Sequence, residues 1–150
     1  MINGSPKVKD SASGLILKEL QTLLSPEHEI VNLHFTKKQP GRNDLELLQD
    51  CDVMVYAFPL YVDSLPSHLL SCLISLEEYL KNAAFSQTCT VYAMANCGFY
   101  EGHQNTLALD IMKSWCARAG VIWGGGLGIG AGGMLPMIGG MTAGQGPKKN

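Results

Sequence analysis

The chain has 150 residues, 46% of them apolar and 16% charged, which is enough for one domain with a buried core and too apolar for a disordered segment. Its 11 basic and 13 acidic residues leave a net charge of −2, giving neither the basic stripe of a nucleic-acid binder nor an acidic tail. Apolar runs break well short of a membrane span and the first residues lack a secretory pattern, so a soluble, cytoplasmic protein is expected.

Met1-Ile2-Asn3 supply a short apolar start, followed by the turn Gly4-Ser5-Pro6-Lys7. Over 13–24 the apolar residues Ile16, Leu20, Leu23 and Leu24 recur at helical spacing. A short strand is predicted at 29–33 and a short helix at 43–50. The continuous apolar run 52–58, stopped by Pro59, suits a strand covered on both faces. Pro66 then opens a helix to about Leu80, with Leu69, Leu73, Leu76 and Leu80 in one stripe. A second buried-type strand is predicted at 89–95, a loop at 96–102, and a helix at 103–119 carrying Leu107, Ile111 and Trp115. Gly120 ends that helix, and Val121-Ile122-Trp123 open a fifth strand. Strictly alternating strands and helices with short links predict an α/β domain, a parallel sheet with helices on both faces. The whole chain reads as a single domain. Residues 131–150 form a Gly/Met-rich tail without a helix, in which Met134, Met137 and Met141 suit either an apolar contact surface or a loosely packed end.

Cys51, Cys72, Cys89, Cys97 and Cys116 are odd in number and form no C-x-x-C pair, and no two histidines share the i, i+4 spacing of metal ligands. Reduced thiols and no structural metal are expected.

Ligands of open parallel sheets bind beyond the carboxyl ends of the strands, where three loops fall. The first, 4–13, holds Gly4, Ser5, Lys7, Ser11 and Ser13 ahead of a helix. Helix N-termini attract phosphate, and three hydroxyls, with Lys7 or Lys9 adding charge, suit one terminal phosphate. The competing reading is a turn with a serine cap, for which one such residue suffices. It is neither a Walker A loop nor G-x-G-x-x-G. The second loop carries Pro59, Leu60, Tyr61 and Val62, apolar and aromatic where strand ends are usually polar. It suits a flat ring system unless these residues fold back onto the core. The third, Asn96, Cys97, Gly98, Phe99, Tyr100, Glu101 and Gly102, has glycines for close backbone approach and N–H groups for a heteroaromatic edge. Cys97 reads as a lining residue, since no histidine is locally placed to activate it. Residues 128–133 match G-x-G-x-x-G by letter, but Met134-Leu135-Pro136 follow instead of the required helix.

In this order, Asn3-Gly4-Ser5-Pro6-Lys7, Pro59-Leu60-Tyr61 with Ser64-Leu65-Pro66-Ser67, and Asn96-Cys97-Gly98-Phe99-Tyr100-Glu101-Gly102 resemble the flavodoxin-like NAD(P)H-dependent FMN reductase family. The resemblance runs through about Gly133. It implies a three-layer fold with strand order 2-1-3-4-5 and a noncovalent FMN. The phosphate site would then fall on Ser5, Lys7, Ser11, Ala12 and Ser13, and the ribityl and ring site on Pro59, Leu60, Tyr61, Val62, Asn96, Cys97, Gly98 and Phe99. No catalytic side chain is implied. The implied activity passes electrons from NAD(P)H through FMN to a small-molecule or flavin acceptor, in a homodimer whose partner helps to cover the flavin. Two departures from the family pattern stand out: an unusually short first strand, and no recognisable last helix, which would leave one sheet face uncovered. The alternatives are an electron-carrying flavodoxin and a flavin-free relative of the same fold.

Overall fold

The computed structural model describes residues 1–82 and 89–135. β3 (Val53–Pro59) and β4 (Thr90–Asn96) form the middle of the sheet, and β3 has five consecutive buried residues. Burial on both faces is what a strand between two helical layers requires. With β1 (Ile2–Asn3), β2 (Leu33–His34) and β5 (Ile122–Ile129) they make an all-parallel sheet in the order β2-β1-β3-β4-β5. The fold is therefore the flavodoxin-like arrangement, with a short central β1. β2 lies at the end of the segment predicted at 29–33, because it can pair only with β1, which offers two residues. The Phe35 N–H bonded to Asn3 O at 2.9 Å carries that ladder one step further.

Among the described residues four α-helices follow the strands: α1 (Ala12–Leu24), α2 (Arg42–Gln49), α3 (Ser67–Asn82) and α4 (Thr106–Ala119). The main core lies on the face covered by α2, α3 and α4, where Met54, Tyr56 and Phe58 meet Leu69, Leu73, Leu76 and Met112. Trp115 joins the two helices, donating its indole N–H to Leu73 O at 2.8 Å. Its ring meets Tyr56 edge-on, 6.0 Å between centroids. On the other face Val55 and Ala57 pack against Leu17 and Leu20 of α1. Among the described residues α1 alone covers this face, and Tyr92, Ile122 and Leu127 stand exposed. The expected absence of a last helix, and Met137 and Met141 of the tail, lie outside the described residues.

The α3 stripe is buried as predicted. Those of α1 and α4 are rotated: Leu17 rather than Leu23 is buried in α1, while Leu107 of α4 is exposed and Ala108, Met112, Trp115 and Cys116 face the core. A short 3-10 turn, Gly102–Asn105, opens the segment predicted as helix from 103. Gly120 ends α4 in the left-handed region at φ 77°. None of the described helices is long and apolar enough to cross a membrane.

Candidate functional site

Strand order reverses between β1 and β3, so the crevice at their carboxyl ends is the place where this architecture binds ligands. The first loop enters it from β1. Asn3 shapes its start: its Oδ1 accepts from Ser5 N at 3.0 Å, and its Nδ2 donates to Ser11 Oγ at 3.3 Å. Ser5 Oγ accepts from Lys7 N at 3.2 Å, and the Lys7 ammonium reaches back to Asp10 O at 3.0 Å. Asp10 takes φ 51°, turning the chain into α1; a short polar side chain tolerates that region best after glycine. His34 braces the loop from β2, its Nε2 lying 2.8 Å from Ser5 O.

Ser11 is the N-cap of α1 and accepts from Gly14 N at 3.0 Å. The cap reading of the sequence is therefore correct for this residue. The other two serines are not surplus caps: Ser5 closes the turn and Ser13 accepts from Asn96 Nδ2 at 2.8 Å. In all these bonds the hydroxyls act as acceptors, which leaves each O–H able to donate. The N–H groups of Ala12 and Ser13, at the first turn of α1, have no acceptor within the helix. The loop thus combines a helix N-terminus, hydroxyl donors and the ammonium groups of Lys7 and Lys9.

The second loop is a tight hairpin. Tyr61 and Ser64 exchange backbone hydrogen bonds of 2.9 and 3.1 Å. Between them Val62 and Asp63 both have positive φ, 51° and 58°. That conformation is unusual for a β-branched residue, and the Val62 side chain is 98% exposed. Leu60 packs on the core, but Tyr61 and Val62 project outward. The fold-back reading thus holds for Leu60 and fails for its two successors.

In the third loop Asn96 is the joint. Its Nδ2 donates to Ser13 Oγ and to Phe58 O at 2.9 Å, and its backbone O accepts from Leu60 N at 2.7 Å. One buried side chain thus ties α1, β3 and β4 at the same edge. Gly98 is open, and Phe99 and Tyr100 are exposed beyond it. The Cys97 thiol is buried inside the loop, 3.3 Å from Asn105 Nδ2 and near the Glu101 carbonyl, and its backbone N–H and C=O bond Ile129 O and Gly132 N. Gly102 does permit close approach, but of protein to protein. A Cβ there would strike the Gly128 carbonyl, and one at Gly130 would strike Tyr100 O. The G-x-G-x-x-G letters at 128–133 therefore serve packing between β5 and this loop.

All three loops meet at one edge, where Tyr61, Val62, Phe99 and Tyr100 are exposed. Two clefts lie elsewhere, about 270 Å³ between α3 and α4 and about 700 Å³ beyond β2 around Lys37, Lys38 and Asp44. Neither is lined by the loop residues named above. Sequence reasoning missed the bracing roles of Asn3, His34 and Asn105. Asn3 was legible as an asparagine before a Gly-Ser turn, where it commonly bonds the backbone two residues on. His34 and Asn105 act across the fold and leave no local signal.

No protein-family model matches the chain, and no curated protein matches it. Solved structures do. The Trp repressor binding protein from Bacillus subtilis superposes with a TM-score of 0.65 at 14% identity, covering 83% of this chain and 79% of that one. An NADPH-quinone reductase from P. pentosaceus gives 0.66 at 10% identity, with 92% of each chain covered. General stress protein 14 from Treponema denticola, solved in complex with FMN, gives 0.62 at 10%, covering 92% and 91%. At such identities the likeness carries the fold alone.

Proposed function

We propose that the chain is an FMN-dependent oxidoreductase that takes electrons from NAD(P)H and hands them to a small-molecule or flavin acceptor. The observation that carries this reading is the Asn96 joint, which holds an anion-suited helix start beside two loops with outward aromatic side chains. Two of the solved relatives point the same way, one being a quinone reductase and one holding FMN.

The donor set fits the cofactor. The N–H groups of Ala12 and Ser13, the hydroxyls of Ser5 and Ser11 and the Lys7 ammonium would hold the phosphate, because each is a donor or a cation and the helix dipole adds to them. Pro59, Leu60, Tyr61 and Val62 on one side, and Asn96, Cys97, Gly98 and Phe99 on the other, would flank the ribityl chain and the ring. Tyr61 and Phe99 would orient a flat ring by stacking and exclude water from its face. The backbone N–H groups of Gly98 and Phe99 would favour negative charge on the ring's polar edge, whereas that of Cys97 is bonded to Ile129 O. Bound FMN supplies the two-electron chemistry, and no side-chain acid or base is required of the protein. The open edge leaves room for a second copy of the chain to cover the ring, as a homodimer would.

One observation favours the flavin-free alternative. Ser5, Ser11 and Ser13 each already have a protein partner, so their abundance does not by itself demand a ligand. The test is to load the purified protein with FMN, desalt it and add NADH or NADPH. Retained yellow colour with rapid nicotinamide oxidation supports the oxidoreductase. Retained colour without oxidation favours an electron carrier, and a colourless protein favours the flavin-free reading.

A further inference from the structure

At the opposite end of the sheet lies a thiol pair that the proposed flavin site does not use. Cys51 and Cys89 precede β3 and β4, and their sulfurs are 3.9 Å apart. The backbones run side by side here, with Thr90 N donating to Asp52 O at 2.9 Å. The register that pairs Val53 with Thr90 sets Cys89 opposite Asp52, one residue from Cys51; with strands about 4.8 Å apart and a rise of about 3.3 Å per residue, that diagonal falls within the Cα separations that a disulfide spans. The two thiols are unequal. Cys51 is half-buried and can be reached from solvent, whereas Cys89 is fully buried. Cys51 donates to Leu48 O at 3.2 Å, which leaves its sulfur to accept from the Cys89 thiol.

We propose that Cys51 and Cys89 form a peroxide-reactive dithiol, with Cys51 the attacking and Cys89 the resolving sulfur. The Cys51 thiol, deprotonated, attacks one peroxide oxygen. The O–O bond breaks, a sulfenic acid forms on Cys51, and the hydroxide released takes up the thiol proton as water. The Cys89 sulfur then displaces the second oxygen from Cys51, which leaves as water with the Cys89 proton. Two thiols are oxidised to one disulfide, and one hydrogen peroxide is reduced to two waters.

The electrostatics agree with this division of roles. The hydrogen bond from Cys89 lowers the Cys51 pKa from the ordinary thiol value, outweighing burial, while the same contact and burial push Cys89 up. The Met1 ammonium and the Asp52 carboxylate also face Cys51, with opposing effects. Cys72 and Cys116 are pushed up to about 11 and about 12 by burial, which keeps them as unreactive thiols. Sequence spacing hid the pair, since 38 residues separate its members. The proposal is independent of the flavin reading.

The test is to treat the full chain, freshly reduced, with equimolar hydrogen peroxide. Remaining thiols are then alkylated and the disulfides mapped without reduction, using fragmentation that separates Cys51 from Cys72 and Cys89 from Cys97. The expected product is one dominant Cys51–Cys89 cross-link. The Cys89→Ser variant should stop at a Cys51 sulfenic acid that dimedone traps, and Cys51→Ser should give neither product. A different dominant cross-link, or wild-type Cys51 alkylated as fully as Cys72 after treatment, overturns the proposal. Because the first measurement uses the unaltered chain, it stands even if a variant fails to fold.

Discussion

At the scale of single residues, Ser11 carries two separable duties: it caps α1 in the structure and faces the phosphate in the proposed function. Ser11→Asp separates them. Aspartate is as good an N-cap as serine and favours the helix dipole, so thermal stability should hold or rise. Its carboxylate should repel the FMN phosphate and weaken FMN binding at least tenfold, about 1.4 kcal/mol, while riboflavin affinity stays unchanged. Paired titrations with the two flavins check this, and equal loss of both would remove the phosphate from this loop. Val62 offers a second residue-level test. Its left-handed backbone costs about 1–2 kcal/mol for an L-residue, and its exposed side chain contributes little packing that would offset it. Val62→Asn should therefore raise stability by about 1 kcal/mol, read as a higher unfolding midpoint; a fall would show that the hairpin does not store that strain. If Val62 also contacts the ring, the same variant will bind FMN less tightly, the trade expected where strain serves a site.

At the scale of elements, what the sequence revealed depended on how many neighbours each segment needed. The alternation of β3, α3 and β4 was plain because long apolar runs and a leucine stripe report burial directly. β2 was misplaced because its extent is set by a two-residue partner. The start of α4 blurred because the Gly102–Asn105 turn is held by Asn105 bonding to Gly102 O and Ile129 O, contacts made between elements. The three candidate loops were legible as clusters of residue types, but the Asn96 tie between them was not, since its partners lie 38 and 83 positions away. A further bond between elements has a pH signature. Glu77 of α3 accepts from Lys81 Nζ at 2.6 Å and from Arg118 Nε of α4 at 3.2 Å, while Arg118 Nη2 lies 2.9 Å from its other oxygen without hydrogen-bond alignment. Lys81 first, then Arg118, hold the Glu77 carboxyl below the usual carboxylate range against the opposing effect of burial. A depressed folded pKa means that the folded state binds fewer protons, so this stabilisation is complete above the unfolded value of about 4.3 and fades as pH falls below it. Chemical denaturation across pH should show wild type losing this increment below about pH 4.3 and Glu77→Gln lacking it. Identical pH slopes would show that Lys81 and Arg118, both largely exposed, are screened into irrelevance.

At the scale of the molecule, the two ends of the sheet have different chemistry. The amino end carries the Cys51–Cys89 thiols, and the carboxyl end carries the hydroxyl-rich bend and the outward aromatic side chains. The main core, built on Tyr56, Phe58 and the α3 leucines, lies between them. The opposite face has α1 as its cover among the described residues, so the helix that presents the N–H groups of Ala12 and Ser13 also shields Val55 and Ala57. Anion binding at that helix start should stabilise the fold as a whole, because a ligand held only by the native state shifts unfolding by mass action. The most direct measurement is the equilibrium affinity of the unmodified chain for FMN against riboflavin, which differ by the phosphate alone. The proposed site predicts FMN binding at least tenfold tighter, with a matching rise in unfolding temperature. Equal affinities, or no uptake of either flavin, would contradict it.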